Sequence, residues 1–149
     1  MEYFVAEKIG RVFLLRLDPG DYVLESINEL IRREGVKDAV VFSAIGTLDE
    51  CVLHMVTTIG YPPKEFFKRW KDAPLELVSI MGIIADGKPH LHAVVSDKDY
   101  AYAGHLEEGC RTLYLAEIAI IELIGANLTR KRDERGILKL KSQPDAHET

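Results

Sequence analysis

The chain has 149 residues, is 47% hydrophobic and 29% charged, and carries a formal net charge of −5. A chain of this size buries about two-thirds of its surface, enough for one core and too little for two, and its composition excludes the disordered and fibrous classes. No apolar run approaches the ~20 residues of a membrane-spanning helix, and Met1-Glu2-Tyr3-Phe4 lacks the basic-then-apolar pattern of a secretory leader, so a soluble, cytoplasmic, single-domain protein with no membrane partner is expected.

Taken in chain order, Tyr3–Ile9 and Arg11–Leu17 read as strands separated at Gly10. The second is apolar on both faces, which asks for burial on both sides or a partner surface. After the turn signal Asp18-Pro19-Gly20, the residues Val23, Leu24, Ile27, Leu30 and Ile31 form one apolar stripe at helical spacing. The main helix is therefore expected over 21–34, capped by Asp21, with Arg32 and Arg33 in its last turn and Gly35 as its stop. Asp38–Leu48 and Cys51–Ile59 read as strands joined by Asp49-Glu50, and Lys64–Asp72 as a connector over the sheet. Leu75–Ala85 and Lys88–Ser96 are strands around Asp86-Gly87, a two-residue hairpin signal. Tyr100–Gly109 is ambiguous, and Thr112–Leu123 is read as a strand. The fold class is α+β, a largely antiparallel sheet of about seven strands with one main helix. Residues 1–126 form the domain, and 127–149 a basic, mobile tail.

The acidic balance has the wrong sign for a general nucleic-acid binder. Arg130–Lys141, with six basic and two acidic side chains, is the exception. It is a solvated end or, with Arg130, Lys131 and Arg132 as contacts, an arm for weak, salt-dependent DNA binding. Cys51 and Cys110 show no CxxC spacing and read as buried small hydrophobes. Asn and Gln together number three, a bias of heat-adapted proteins that points to a thermophilic source.

The histidines carry the chemistry. His90 and His92 stand two apart in an expected strand, so both point to one face. A returning segment places His105 beside them if the chain folds back at Asp97-Lys98-Asp99. Three imidazoles on one patch suit zinc or another divalent transition metal with a fourth position for water; the alternative is three unrelated polar residues on a half-exposed face. His54, in another expected strand, either joins the cluster or sits singly with a backbone partner, the second being the favoured reading. Glu117, inside an apolar strand, is either solvent-facing or a buried carboxylate needing a partner. If buried near the cluster it would serve as general base or orient an imidazole. There is no GxGxxG, P-loop or GxSxG pattern, so no nucleotide cofactor and no serine nucleophile is expected.

Gly10-Arg11-Val12-Phe13-Leu14-Leu15, Ser43-Ala44-Ile45-Gly46, Pro89-His90-Leu91-His92, Ala103-Gly104-His105-Leu106 and Ala116-Glu117-Ile118 resemble, in order and spacing, the motifs of the plant- and prokaryote-conserved (PPC) domain. Ala44 and Ala103 stand where that family has glycines. The resemblance spans about residues 3 to 124. It implies a compact α+β homotrimer, the stand-alone prokaryotic type, acting as a binding or regulatory module rather than as an enzyme. The plant members' AT-hook is missing, so DNA binding transfers poorly. A small zinc enzyme built on His90, His92 and His105 with Glu117 as base is the rival reading.

Overall fold

The protein is described from a computed structural model over residues 1–143. Its elements run β1 (Lys8–Leu17), α1 (Val23–Glu34), β2 (Ala39–Val56), β3 (Glu65–Trp70), β4 (Leu75–Ala85), β5 (Lys88–Ser96), β6 (Ala101–Leu106), β7 (Arg111–Ile124), β8 (Leu128–Arg132) and β9 (Leu138–Ser142). β1 to β7 form one antiparallel sheet in the order β1-β7-β2-β4-β5-β6, with β3 paired to β2, and β8-β9 is a separate hairpin. The α+β class, seven-stranded sheet and single helix are as the sequence leads one to expect.

The helix begins at Val23, two residues after the expected start. Asp21 does not cap it, because its carboxylate accepts the Asp18 N–H and closes the preceding turn. The stop is at Gly35, whose φ of 65° is the left-handed conformation that glycine adopts without strain. Val23, Ile27 and Ile31 are buried against Leu17, Val41, Ala44, Ile118 and Ile120. The helix therefore covers one face of the sheet, and the β8-β9 hairpin packs on part of the other.

Two expected breaks are absent. Gly10 does not divide β1, because a shift in register between Ile9 and Val12 absorbs it. Asp49-Glu50 does not turn the chain. Both carboxylates pair with Arg111 across the sheet, at 2.9 and 3.2 Å, so the charges are satisfied inside a continuous strand of 18 residues. That length lets β2 change neighbours. Its first half lies between β7 and β4, and its second half pairs with β3 and with β6. The expected connector 64–72 is thus largely a strand, and the ambiguous segment after Tyr100 is β6.

In antiparallel ladders, residues directly opposite one another point to the same face. The registers link Val12, Ile121, Val40, Ile83 and His90 into one row across β1, β7, β2, β4 and β5. This row lies on the face that the helix does not cover, where Leu14 is 80% exposed and Val12 and Ile45 are also exposed. The segment assigned to the tail is folded as far as residue 142. β8 and β9 pair from Leu128↔Ser142 to Arg132↔Leu138, and Leu128 and Leu140 pack with Ala85 and Ile83 of β4. Residues 144–149 of that tail lie outside the described residues. Among the described residues no helix is long and apolar enough to cross a membrane.

Candidate metal centre

The site is assembled by register. His105 on β6 is directly opposite His92 on β5 and directly opposite His54 on β2. His90 lies two residues from His92 and therefore on the same face. β6 can lie this close to β2 because residue 104 is glycine: a Cβ there would sit 2.6 Å from the His54 carbonyl oxygen. Ring centroids are 4.5 Å apart for His54–His105, 5.1 Å for His90–His105, 5.5 Å for His92–His105 and 5.6 Å for His90–His92.

The three expected histidines do come together, with two additions. His54, read as a single histidine, stacks on His105. Glu107, not singled out in the sequence, supplies the carboxylate. Its Oε1 lies 2.5 Å from His54 Nδ1 and 2.9 Å from His105 Nδ1. A carboxylate accepts from both only if each Nδ1 carries its proton, and in the neutral imidazole that leaves Nε2 as the lone-pair nitrogen. The signal for Glu107 was the period of two, since it follows His105 by two residues and extends the same face.

Glu117 does not take that part. It is exposed on β7, opposite Arg16 and Ile45, and lines a separate groove with Leu14 and Ser43. The buried carboxylate of β7 is Glu122, which pairs with Arg11 at 2.8 Å. The basic residues proposed to contact DNA also divide. Arg130 turns inward, its Nη1 and Nη2 donating to the Lys88 and Ile83 carbonyls at 2.9 Å each, and Arg132 donates to the Gly136 carbonyl. Lys131 remains exposed.

The donor set fits a borderline metal. The ligand atoms of His54, His105 and Glu107 lie within 4.8 Å of one another. With both Nδ1 atoms held by Glu107, the donors left for an ion are ring nitrogens of the four histidines, whose contacting ring centroids lie 4.5 to 5.6 Å apart, a spacing that one ion with bonds of about 2.0–2.1 Å can bridge. Burial is the first cause that holds His90 and His92 below the ordinary histidine pKa, and the charge on neighbouring His105 adds to it. Both rings are therefore neutral at pH 7, the form in which imidazole binds a metal.

The same architecture is found in solved proteins. A metal-containing protein from Archaeoglobus fulgidus is similar with a TM-score of 0.78 and 27% identity, over 93% of this chain and 96% of that one. A plant- and prokaryote-conserved (PPC) protein from Pyrococcus horikoshii gives 0.77 and 26%, over 97% and 99%. In sequence, the bifunctional protein GlmU of a Synechococcus species is 28% identical over 138 residues, 91% of this chain and 21% of that protein. The chain spans about a fifth of the length of the curated relatives it matches. The profile of the Plants and Prokaryotes Conserved (PCC) domain matches residues 5–124, which take in β1 to β7, the helix and all four clustered histidines. With that match joined to the sheet order and the histidine register, this chain belongs to the Plants and Prokaryotes Conserved domain family.

Proposed function

We propose that the protein is a homotrimeric, metal-binding module in which His105, with His54, His90 and His92, holds a divalent transition metal, zinc first among them. The observation that carries this reading is the convergence of four imidazoles and one carboxylate from three neighbouring strands onto one face. The metal-containing relative from Archaeoglobus fulgidus supports it. Bound there, zinc would supply Lewis acidity toward an oxygen donor. Glu107 keeps the Nδ1 protons of His54 and His105 in place and so orients both rings. Neutral His90 and His92 add donors without charge.

The bare face along Val12, Leu14 and Ile45 supports self-association, because a monomer gains nothing from exposing that much apolar side chain in one patch. A cyclic trimer would use this patch in rotation. A second reading, a small metal-dependent enzyme, draws support from the open cavity beside the histidines. There the carboxylate on the Nε2 side of the rings is Glu65, 3.9 Å from His54 Nε2, since Glu107 is engaged by the two Nδ1 atoms and Glu117 lies elsewhere.

Elemental analysis of untagged protein tests the metal. About one zinc or similar ion per chain is expected, and a metal-free protein that takes up none on dialysis against zinc refutes the reading. Light scattering tests the assembly: a monomer at micromolar concentration rules out the trimer. Turnover of an activated ester that depends on both zinc and Glu65 would favour the enzyme.

A further inference from the structure

Facing the histidines is a second wall. A cavity of about 470 Å³ opens between His54, His90 and His105 on one side and Thr129, Arg130 and Leu138 of the β8-β9 hairpin on the other. The hairpin lies beyond residue 124, where the family match ends, so the shared domain supplies the histidines and a feature outside it supplies the opposite wall.

Arg130 is the notable side chain of that wall. Its two carbonyl bonds, to Ile83 and Lys88, hold the guanidinium against the end of β4 and the start of β5. They use two of its five N–H groups. Among the described residues no carboxylate forms an ion pair with it, and burial, with nothing to offset it, holds its pKa below the ordinary arginine value. A half-buried cation of this kind needs an anion. The other charges in the cavity do not supply one. Asp86 and Lys88, one charge of each sign, line the cavity without an ion pair to Arg130 among the described residues, and Glu65 faces His54. With a divalent ion on the histidine wall the cavity is net positive even when Glu107 is counted.

Resting on the metal reading above, we propose that this cavity binds a small organic oxyanion, a carboxylate or a phosphate monoester, with one oxygen toward the histidine-held metal and another on the Arg130 fork. A guanidinium presents parallel N–H groups that match two oxygens of either anion. The volume is that of a small-molecule site and exceeds what a bare anion fills, and Pro89 and Leu138 provide apolar wall for the organic remainder. The hairpin is thereby the part that selects the ligand.

The test is calorimetric titration of the full-length protein with inorganic phosphate and, separately, with acetate, after zinc loading and removal of free zinc, and again after chelation. At least one anion binds the zinc-loaded protein, and the tighter of the two identifies the ligand class. Arg130→Gln weakens that binding about tenfold or more while zinc content is unchanged. Lys131→Ala, on the same hairpin but exposed, leaves it unchanged. Equal affinity in Arg130→Gln and the parent overturns the proposal, as does failure of both anions to bind the parent at tens of millimolar. If the protein takes up no zinc, the metal reading fails by itself. The chelated arm still decides the clamp, because anion binding there must also depend on Arg130.

Since Arg130 also anchors the hairpin, a second measurement uses the unaltered protein. An arginine-specific dicarbonyl reagent modifies Arg130 more slowly when the binding anion is present, whereas exposed Arg135 is unaffected. Equal rates at Arg130 with and without the anion overturn the proposal.

Discussion

Glu122 and Glu107 are both carboxylates held among basic side chains, and the sheet puts them to different ends. At Glu122 every valence is met. Oε2 accepts from the Arg11 backbone N–H and from Nε, Oε1 accepts from Nη2, and the same guanidinium continues to Glu34 at the end of the helix. The pair ties β1, β7 and α1 together and has nothing left to offer a ligand. At Glu107 a single oxygen serves two imidazoles, and His90 and His92 stand beside them with no carboxylate of their own among the described residues. Matched donors and acceptors fix a structure. A surplus of lone-pair nitrogens on a cavity wall is a capacity to bind.

The sharpest way to break that comparison is at its centre. His105 contacts every other member of the cluster, so His105→Gln is expected to lower zinc affinity by about a hundredfold or more, read by competition with a metal buffer. Glu122→Gln should leave zinc affinity as it was. A variant at 105 that binds zinc normally would mean that the convergence of rings is only packing. Next in size is Glu107→Gln, which removes the acceptor that orients two rings. Its expected loss is about 10- to 100-fold, with the fold retained by circular dichroism; an unchanged affinity would reduce Glu107 to a bystander.

The Arg11 pair responds to acid. Hydrogen bonding from Arg11 holds the Glu122 carboxyl below the usual carboxylate range. A depressed folded-state pKa means that the stabilisation is present above the unfolded value and is lost as pH falls through the folded one. Urea midpoints of the parent and Glu122→Gln should therefore differ by a modest, measurable step at pH 7 and converge in strong acid. Parallel curves at every pH would show that the pair contributes nothing through its charge.

The smallest expected effect is at the histidines in metal-free protein. Burial lowers His90 and His92 below 6.5, so the unfolded chain takes up protons that the folded chain resists. Their stability contribution is complete above pH 6.5 and declines as pH drops below it. The double variant His90→Gln, His92→Gln should flatten that decline, measured by thermal unfolding between about pH 7 and pH 5. A slope that survives both substitutions would assign it elsewhere.

The helix stripe, the Asp86-Gly87 hairpin and the strand from 112 to 123 were legible because each is a local pattern with its own punctuation. The breaks expected at Gly10 and at Asp49-Glu50 are absent because of distant partners: the register shift in β1 takes in Gly10 where the adjacent Arg11 N–H donates to Glu122, and Asp49 and Glu50 pair with Arg111, each partner more than fifty residues away in sequence. Likewise Lys64–Asp72 is too polar to declare itself a strand, and becomes one by pairing with the second half of β2.

At the site, sequence alone determined that His90 and His92 share a face, since the strand's period of two requires it. The same alternation makes Glu117 and Glu122 point opposite ways, five residues apart, but it leaves open which of them faces the core. That was settled by the helix packing on one side of β7. The meeting of His54 with His105 required β2 to outrun β4 and pair with β6, and it required Gly104 to let the two strands approach. The placement of Arg130 over the cavity required the hairpin to dock on Ala85 and Ile83. Periodicity is a property of neighbours along the chain. Which strand lies beside which, and which side chain finds its partner across that gap, is a property of long-range packing, and it was decided only when the sheet closed.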